Sequence, residues 1–593
     1  MAVYLNGISI NNYLIKTNSF FETANVAVNQ LEKHLNLTTR YVTPSNIEGY
    51  IILDVDRENK YGLGYDGVAI ELAGNCLKLI GNTERAVVYA VYEFLERYLH
   101  WRFFTKDVEK RICEQDVKLT DFIYTHTPRF ERRYIESYGN SLENPEMLLK
   151  HRLNQLYTKR IPKEYGGSIN SAGGIDLQGY GSYLSANEYY DSHPEYFAMD
   201  ENGNRTKGPF LCLTNPEVYN VVEKKIFDIL ERDKDADFVP FSHDDGYEYC
   251  RCPNCMNEYK KYGAHVGEEN LPVYLEIAQE NQGCKMGTIL PFINKLARNI
   301  SVKYPKVKMH VLSYSFATEP PKGIEIEKNV IVEIAHLDQC RQHSIVDNLC
   351  RDNPLLLSQF AGWRKLTENL WTWNYSVNFW YFPLFLPLIR TFYDDIKLYS
   401  RIGIKGMMMQ SNWDAGVGFE DLFDYVTWRW LWDGDMSYTQ FLGYVKEFLT
   451  ALCGEGAEYM LEYLHLNASR PQSEQHYNAY STAESLIPLC KNERGEPDMT
   501  YIESAYELFD KAMESVSDEF YKNNVERYRL SLDFYVQEMT WEFTDSEEYK
   551  QRNKALYRGL KKYGVTRISE GRQMLDEDEI DFSLRPSVGF NKN

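Results

Sequence analysis

Residues 241–255 read FSHDDGYEYCRCPNC: two adjacent aspartates, Asp244 and Asp245, end an apolar run, and three cysteines follow within ten residues of the second. Adjacent residues on a strand face opposite ways, but where a strand ends the backbone can turn both carboxylates toward one ligand. Like charges held close favour protonation of one of them, as a general acid requires. Asp245-Gly246 also has the composition of a plain turn with Asp244 as its solvated neighbour. Cys250, Cys252 and Cys255 form a C-x-C-x-x-C cluster, whose CPNC part has the spacing of zinc knuckles. A tetrahedral site needs one more ligand, and Cys212 in FLCLTNPE is the first choice. Four thiolates would close the site, so such a zinc would be structural and catalysis would require no cofactor. The alternative is a set of reduced, partly buried thiols. The other cysteines, Cys76, Cys113, Cys284, Cys340, Cys350, Cys453 and Cys490, are scattered and do not resemble a disulfide framework.

The elements that must position these residues are short β-rich runs alternating with helical stretches. The strand candidates are RRYIESY (132–138), DFVPFS (237–242), KMHVLSYS (308–315), NVIVEIAH (329–336), NLWTWNY (369–375) and IKGMMMQ (404–410). Helical patterns at 216–233 and 288–304 lie between them. Strand–helix repetition over some 300 residues predicts an α/β fold, a (β/α)₈ barrel, and no glycine-rich phosphate loop follows any strand as an open nucleotide-binding sheet would often show. Catalytic groups of such barrels sit where strands run into their following loops. The candidates there, besides the aspartate pair, are Glu136, Tyr314, Glu333, His336, Trp373, Asn374, Tyr375, Gln410 and Trp413, with Tyr180 from the glycine-rich stretch 165–184, which reads as a loop over the mouth. Carboxylates, amides and aromatic faces converging on one mouth suit a carbohydrate: they move protons, bond hydroxyls and stack on sugar rings.

The expected organisation is a small α/β unit over 1–122, the barrel over 123–435 and a helical region over 436–593. In the first, YIILDV (50–55) reads as a strand, VAIELAGNCLKLIG (68–81) as a hairpin, and 83–101 as a helix capped by Thr83. In the last, 439–454 has a helical period ending at Gly454. A length of 593 residues requires several domains. The formal charge of −21 argues against a nucleic-acid partner and against an anionic membrane surface. The most apolar window, 371–389, is interrupted by two Asn, a Ser and two Pro, so no membrane span is expected. The N-terminal residues lack a basic region and a continuous apolar stretch, which predicts a cytoplasmic protein, or a secreted one whose leader has been removed. Oligomeric state leaves no mark on the sequence.

Four stretches together, GNTERAVVYAVYEFLERYLHWRFF, HPEYFAMDENGNRTKGPFLCLTNPEV, SHDDGYEYCRCPNC and LFDYVTWRWLWDGDMS, resemble the domain-of-unknown-function family 4838, which contains glycoside hydrolase family 163. The resemblance covers about 80–540, and its most specific piece is Asp-Gly followed by C-x-C-x-x-C. It implies an endo-β-N-acetylglucosaminidase-like enzyme that cuts N-glycan chitobiose cores, with an α/β domain before the barrel similar to that of hexosaminidases and α-glucuronidases. By analogy with hexosaminidase barrels, it implies that the substrate's own 2-acetamido oxygen attacks the anomeric carbon, Asp244 orienting that amide and Asp245 serving as acid/base. Two rivals remain: an α-glucuronidase-like hydrolase in which Asp245 works with Glu333 or Glu136, and a non-catalytic carbohydrate-binding protein on the same scaffold.

Overall fold

The structure is a computed structural model, and it describes residues 2–591 apart from 19, 36–45, 140, 142, 263–283, 349, 387, 469–475, 482–498, 543 and 545. The first layer is a five-stranded sheet of β1 (Tyr13–Thr17), β2 (Gly49–Val55), β3 (Val68–Ala73), β4 (Cys76–Gly81) and β5 (Phe122–His126), in the order β5-β3-β4-β2-β1. The hairpin of β3 and β4 turns at Gly74-Asn75, as the sequence predicts, with Ala73 opposite Cys76. The helix Glu84–Leu99 follows, its first turn capped by the Thr83 hydroxyl, which accepts from the Ala86 N–H. It packs so closely on the end of β4 that a Cβ on Gly81 would lie 2.3 Å from the Ala86 carbonyl carbon. The edge strand β5 starts at residue 122, the boundary expected for this unit, and runs across it to His126.

The second sheet holds six strands, all parallel: β6 (Arg132–Glu136), β7 (Phe238–Pro240), β8 (Lys308–Ser313), β9 (Val330–Ala335), β10 (Leu370–Tyr375) and β11 (Gly406–Gln410), in the order β6-β11-β10-β9-β8-β7. Each matches one predicted run. Parallel strands covered on both faces read as continuous apolar stretches, and all six residues of β9 and of β10 are buried. The register sets Glu136 and Tyr375 on either side of Gln410, so one end of the sheet presents a row of polar and aromatic termini.

Six regular strands stand where the sequence predicts the eight of a barrel, among the described residues. The edges β6 and β7 are linked by two irregular stretches. Asn154 donates its N–H to the Arg133 carbonyl, Ile169 donates to Asn154, and Asp237 donates to Asn170. These stretches touch their neighbours through one or two backbone bonds and then turn away, Arg152 and four glycines (Gly166, Gly167, Gly173, Gly174) taking positive φ beside them. Left-handed residues at this density break strand geometry. Asp66, fully buried, ties the two sheets together through Arg85 (2.8 Å), Arg133 (2.8 Å) and Asn154 (3.0 Å). Burial alone would raise its pKa, but the two guanidiniums outweigh it and hold it at about 2.

Helices Pro216–Arg232, Met286–Lys303, Asn353–Leu366, Ile389–Ile402 and Glu420–Asp433 follow or connect these strands. Beyond them the chain is mainly helical: Tyr438–Cys453, closed by Gly454, then Ala457–Ala468, Met499–Ser515, Glu519–Thr540 and Ser546–Lys562. A short strand pair, Arg567–Ser569 and Arg572–Gln573, then returns to the six-stranded sheet: Phe382 donates to the Ile568 carbonyl, and Asp414 accepts from the N–H groups of Thr566 and Arg567. No helix among the described residues is long and apolar enough to cross a membrane.

Candidate active site

The loop after β7 carries the aspartate pair. Its entry is fixed by buried His243, whose ring stacks on Tyr314 and whose Nε2 lies 3.0 Å from the Tyr314 carbonyl oxygen. Gly246, at φ +127°, makes the turn just after the pair. Asp245 emerges at the C-terminal ends of the strands, where a cavity of about 410 Å³ opens. Its Oδ1 accepts from Gln178 Nε2 (2.7 Å) and from the Tyr314 hydroxyl (3.1 Å).

Around the same cavity stand Glu136, Tyr314, Trp373, Tyr375, Gln410 and Trp413 from the strand ends and the loops after them. Trp373 Nε1 donates to Gln410 Oε1 (2.9 Å), which fixes the indole as a flat wall. The alternation of β10 explains this placement and one expectation that fails. Trp373 and Tyr375 face the cavity, so Asn374 between them faces outward, where it accepts from Arg341 and lies 3.4 Å from the Tyr399 hydroxyl. His336 is likewise outside the cavity, against Phe360 and Tyr399, with Nε2 3.0 Å from Thr372 Oγ1. Glu333 lies two residues below the end of β9, fully buried, bonded to Arg132 and to His310 (2.7 Å). Tyr180 is buried with its ring tilted on Phe241 (4.5 Å).

Asp244 sits behind Asp245 and is half-buried; it does not line the cavity. It accepts from the Tyr180 backbone N–H, while its Oδ2 is buried without a partner. Burial, with Asp176 and Asp245 nearby, pushes its pKa up to about 6. Glu136 goes further, to about 7, from burial and the charges of Asp176 and Glu570. Burial and Asp245 raise Glu570 as well. The site is therefore a knot of carboxylates, and no lysine or arginine is among the described residues that line it.

Several of its residues carry no clear signal in the sequence. Tyr157 donates to Asp176, and Gln178 follows in the glycine-rich stretch, which brings only this residue to the mouth and otherwise runs along the gap between β6 and β7 instead of looping over the site. Tyr480 and Glu570 come from the C-terminal region and meet each other, the tyrosine hydroxyl donating to Glu570 Oε2 (3.0 Å). Both are delivered by Phe379, which donates its N–H to the Ala479 carbonyl and accepts from the Glu570 N–H.

The family model described as "Domain of unknown function (DUF4838)" matches residues 103–465, more than half of the chain and most of the residues of this cavity. The chain belongs to the DUF4838 family. No curated protein matches it in sequence. Among the solved structures that align with this DUF4838 protein are the following, each at 10% identity. A GH138 enzyme, described as targeting pectin rhamnogalacturonan II, aligns over 95% of this chain and 91% of its own at a TM-score of 0.41. CpGH84D aligns over 97% and 92% at 0.42. The family 89 glycoside hydrolase from Clostridium perfringens in complex with PUGNAc aligns over 91% and 65% at 0.42. Likeness at this level has no bearing on activity.

A larger cavity of this DUF4838 protein, about 900 Å³, lies at the opposite ends of the strands, between Arg85, Arg160, Asp237 and Val307. No tryptophan is among the described residues of its walls, and the carboxylate knot is not part of it. Beside the candidate active site, Cys212, Cys250, Cys252 and Cys255 gather as the spacing suggests, all buried and none in a disulfide. Cys212 Sγ lies 3.6 Å from Cys252 Sγ and 3.9 Å from Cys255 Sγ, against an edge of about 3.8 Å for a tetrahedral zinc tetrathiolate. The donor set fits such an ion. It would pin the chain just after the aspartate pair to the hairpin-like turn before Cys212, where Arg251 already donates its N–H to the Met199 carbonyl.

Proposed function

We propose that this protein is a glycoside hydrolase that cleaves β-linked N-acetylglucosamine in N-glycan-type oligosaccharides, retaining configuration with the help of the substrate's acetamido group. The observation that carries the reading is one cavity at the strand ends in which Asp245, Glu136 and Glu570 face aromatic walls and amides. The resemblance of SHDDGYEYCRCPNC to glycoside hydrolase family 163 supplies the substrate class. In this mechanism Asp245 protonates the leaving oxygen as its bond to the anomeric carbon breaks, and the acetamido carbonyl oxygen bonds to that carbon. Water then attacks the same carbon, giving its proton back to Asp245 while the amide oxygen departs. Asp244, the orienter of the amide that the resemblance implies, stands behind Asp245 and off the cavity wall with its Oδ2 buried, so in this arrangement it backs Asp245 and does not meet the amide. Trp373, Tyr375 and Trp413 stack on the sugar, and Gln410 and Glu136 bond its hydroxyls. A structural zinc in the four-cysteine set keeps the Asp244–Asp245 loop in register and takes no part in the chemistry.

One observation favours a second reading. Glu136 lines the cavity with a pKa of about 7, which suits a proton donor working with Asp245 as nucleophile or base. Glu333, the other partner considered for such a pair, is closed off by Arg132 and His310. A glucuronide is disfavoured, because a uronic carboxylate would find no cation among the described lining residues.

The test compares aryl β-N-acetylglucosaminides with aryl β-glucosides bearing the same leaving group. The proposal expects kcat/KM to favour the acetamido sugar by about 10³ or more. Equal cleavage of both would replace the substrate-assisted route by the two-carboxylate one. Binding without release of either aglycone would leave a carbohydrate-binding protein.

A further inference from the structure

Cys340 and Cys350, scattered in the sequence, meet in the fold. Together with His343 and His476 they place four donor atoms within 4.8 Å of one another, three of the residues buried and His476 nearly so. Cys340 Sγ lies 3.3 Å from His343 Nδ1, and Cys350 Sγ lies 3.8 Å from His476 Nδ1. These bracket the sulfur–nitrogen edge of about 3.6 Å that follows from zinc–sulfur and zinc–nitrogen bonds of about 2.3 and 2.05 Å at the tetrahedral angle.

The loop between β9 and the helix Asn353–Leu366 is built to hold this arrangement. Asn353, fully buried, accepts from the Cys340 N–H (3.0 Å) and donates to the carbonyls of Cys340, His343 and Ser344. Its own backbone N–H points at Cys350 Sγ (3.4 Å). Partners of this kind orient ligands from outside the coordination sphere. Asp352 Oδ2 lies 2.9 Å from His476 Nδ1, where it either accepts that N–H or stands beside a cation as a negative neighbour.

We propose that Cys340, His343, Cys350 and His476 form a second structural zinc site, separate from the four-cysteine set. Two thiolates and two imidazoles in a closed tetrahedron select zinc over harder cations. The site joins the loop after β9 to the short segment 476–481, whose Tyr477 carbonyl accepts from the Arg341 N–H (2.7 Å) and whose Ala479 carbonyl accepts from Phe379 (2.9 Å). That segment carries Tyr480 to the cavity wall. The zinc acts as a clamp on a wall of the candidate active site, and its existence does not depend on which reaction the cavity performs.

The test is made on the full chain purified without chelator. Wild-type protein should carry about two zinc ions. Cys340→Ser/Cys350→Ser and Cys252→Ser/Cys255→Ser should each lose about one of them. Zinc unchanged in Cys340→Ser/Cys350→Ser would overturn the proposal. X-ray absorption at the zinc edge needs no variant: it should show histidine nitrogen in the average shell of the wild-type metal. A shell of sulfur alone, an absence of zinc, or a Cys340–Cys350 disulfide found by peptide mass would each overturn the site. His476→Ala should speed amide hydrogen exchange across 477–481 by about tenfold or more, as expected of a segment released from its anchor. Exchange unchanged there, with the zinc lost, would overturn the clamp.

Discussion

Glu333 and Glu136 are glutamates on two strands of one parallel sheet, and the structure treats them in opposite ways. Glu333 is fully buried and meets one cation, Arg132, and the ring of His310, whose own pKa burial pulls down. Burial alone would raise its pKa, but Arg132 and His310 outweigh that and draw it below the ordinary range. Glu136, at the end of β6, is given no cation: burial and two neighbouring carboxylates push it up to about 7. A buried carboxylate provided with its own counter-charge is part of the scaffold. One left among other carboxylates at a cavity stays able to exchange a proton near neutral pH, which is a property used in acid–base chemistry. Chain position alone ranks the two equally as strand-end glutamates; only their partners separate them.

The contrast can be broken most forcefully at Glu333. Glu333→Gln removes the charge that neutralises buried Arg132 and should cost about 3–5 kcal/mol in denaturant unfolding. A variant as stable as wild type would show that the ion pair does not hold the sheet. Glu136→Gln should do the reverse: unchanged or higher stability at pH 8, with kcat/KM lowered about 10- to 100-fold by loss of a charged hydrogen bond to substrate. A loss beyond about 10⁴ would instead make Glu136 the proton donor.

The two glutamates also differ in the sign of their pH dependence. Between pH 4.5, the ordinary value, and about 7, folded Glu136 keeps a proton that the unfolded chain has released. It therefore makes stability fall as pH rises through that window, by at most about 3 kcal/mol in all. Glu333, held low, contributes stability above its ordinary value that is lost as pH falls below it. Unfolding free energies from pH 4.5 to 8 should thus show a shallower decline in Glu136→Gln than in wild type, and parallel curves would refute the shift. The smallest effect is expected at Tyr480→Phe, which removes one hydroxyl bonded to Glu570 and should raise KM about two- to tenfold with kcat nearly intact.

The scaffold was largely legible because its strands are buried on both faces. Runs such as VIVEIA and LWTWNY have no other use in a folded chain, and all six predicted runs contain strands. The stretches around Asn154 and Ser171, where two further strands would lie, carry too few apolar residues and too many left-handed turns to read as strands, and the second reads as a loop. Within the site, Trp373 and Tyr375 could be placed with Asn374 only by ignoring the twofold alternation that sends their neighbour outward. Tyr480 and Glu570 were beyond reach, because they approach the cavity through contacts with Phe379 about 100 and 190 residues away in the chain, a separation no local pattern records. The same applies to His476, which meets Cys350 across 126 residues.

The most direct test is to incubate wild-type protein and Asp245→Asn with N-glycans bearing a chitobiose core and to read the products by mass. Wild type should release glycan cut between the two N-acetylglucosamine units. Asp245→Asn, folded and still binding glycan, should release none in the same time. Equal product from both, or cleavage of glycans lacking N-acetylglucosamine at the cut site, would contradict the account.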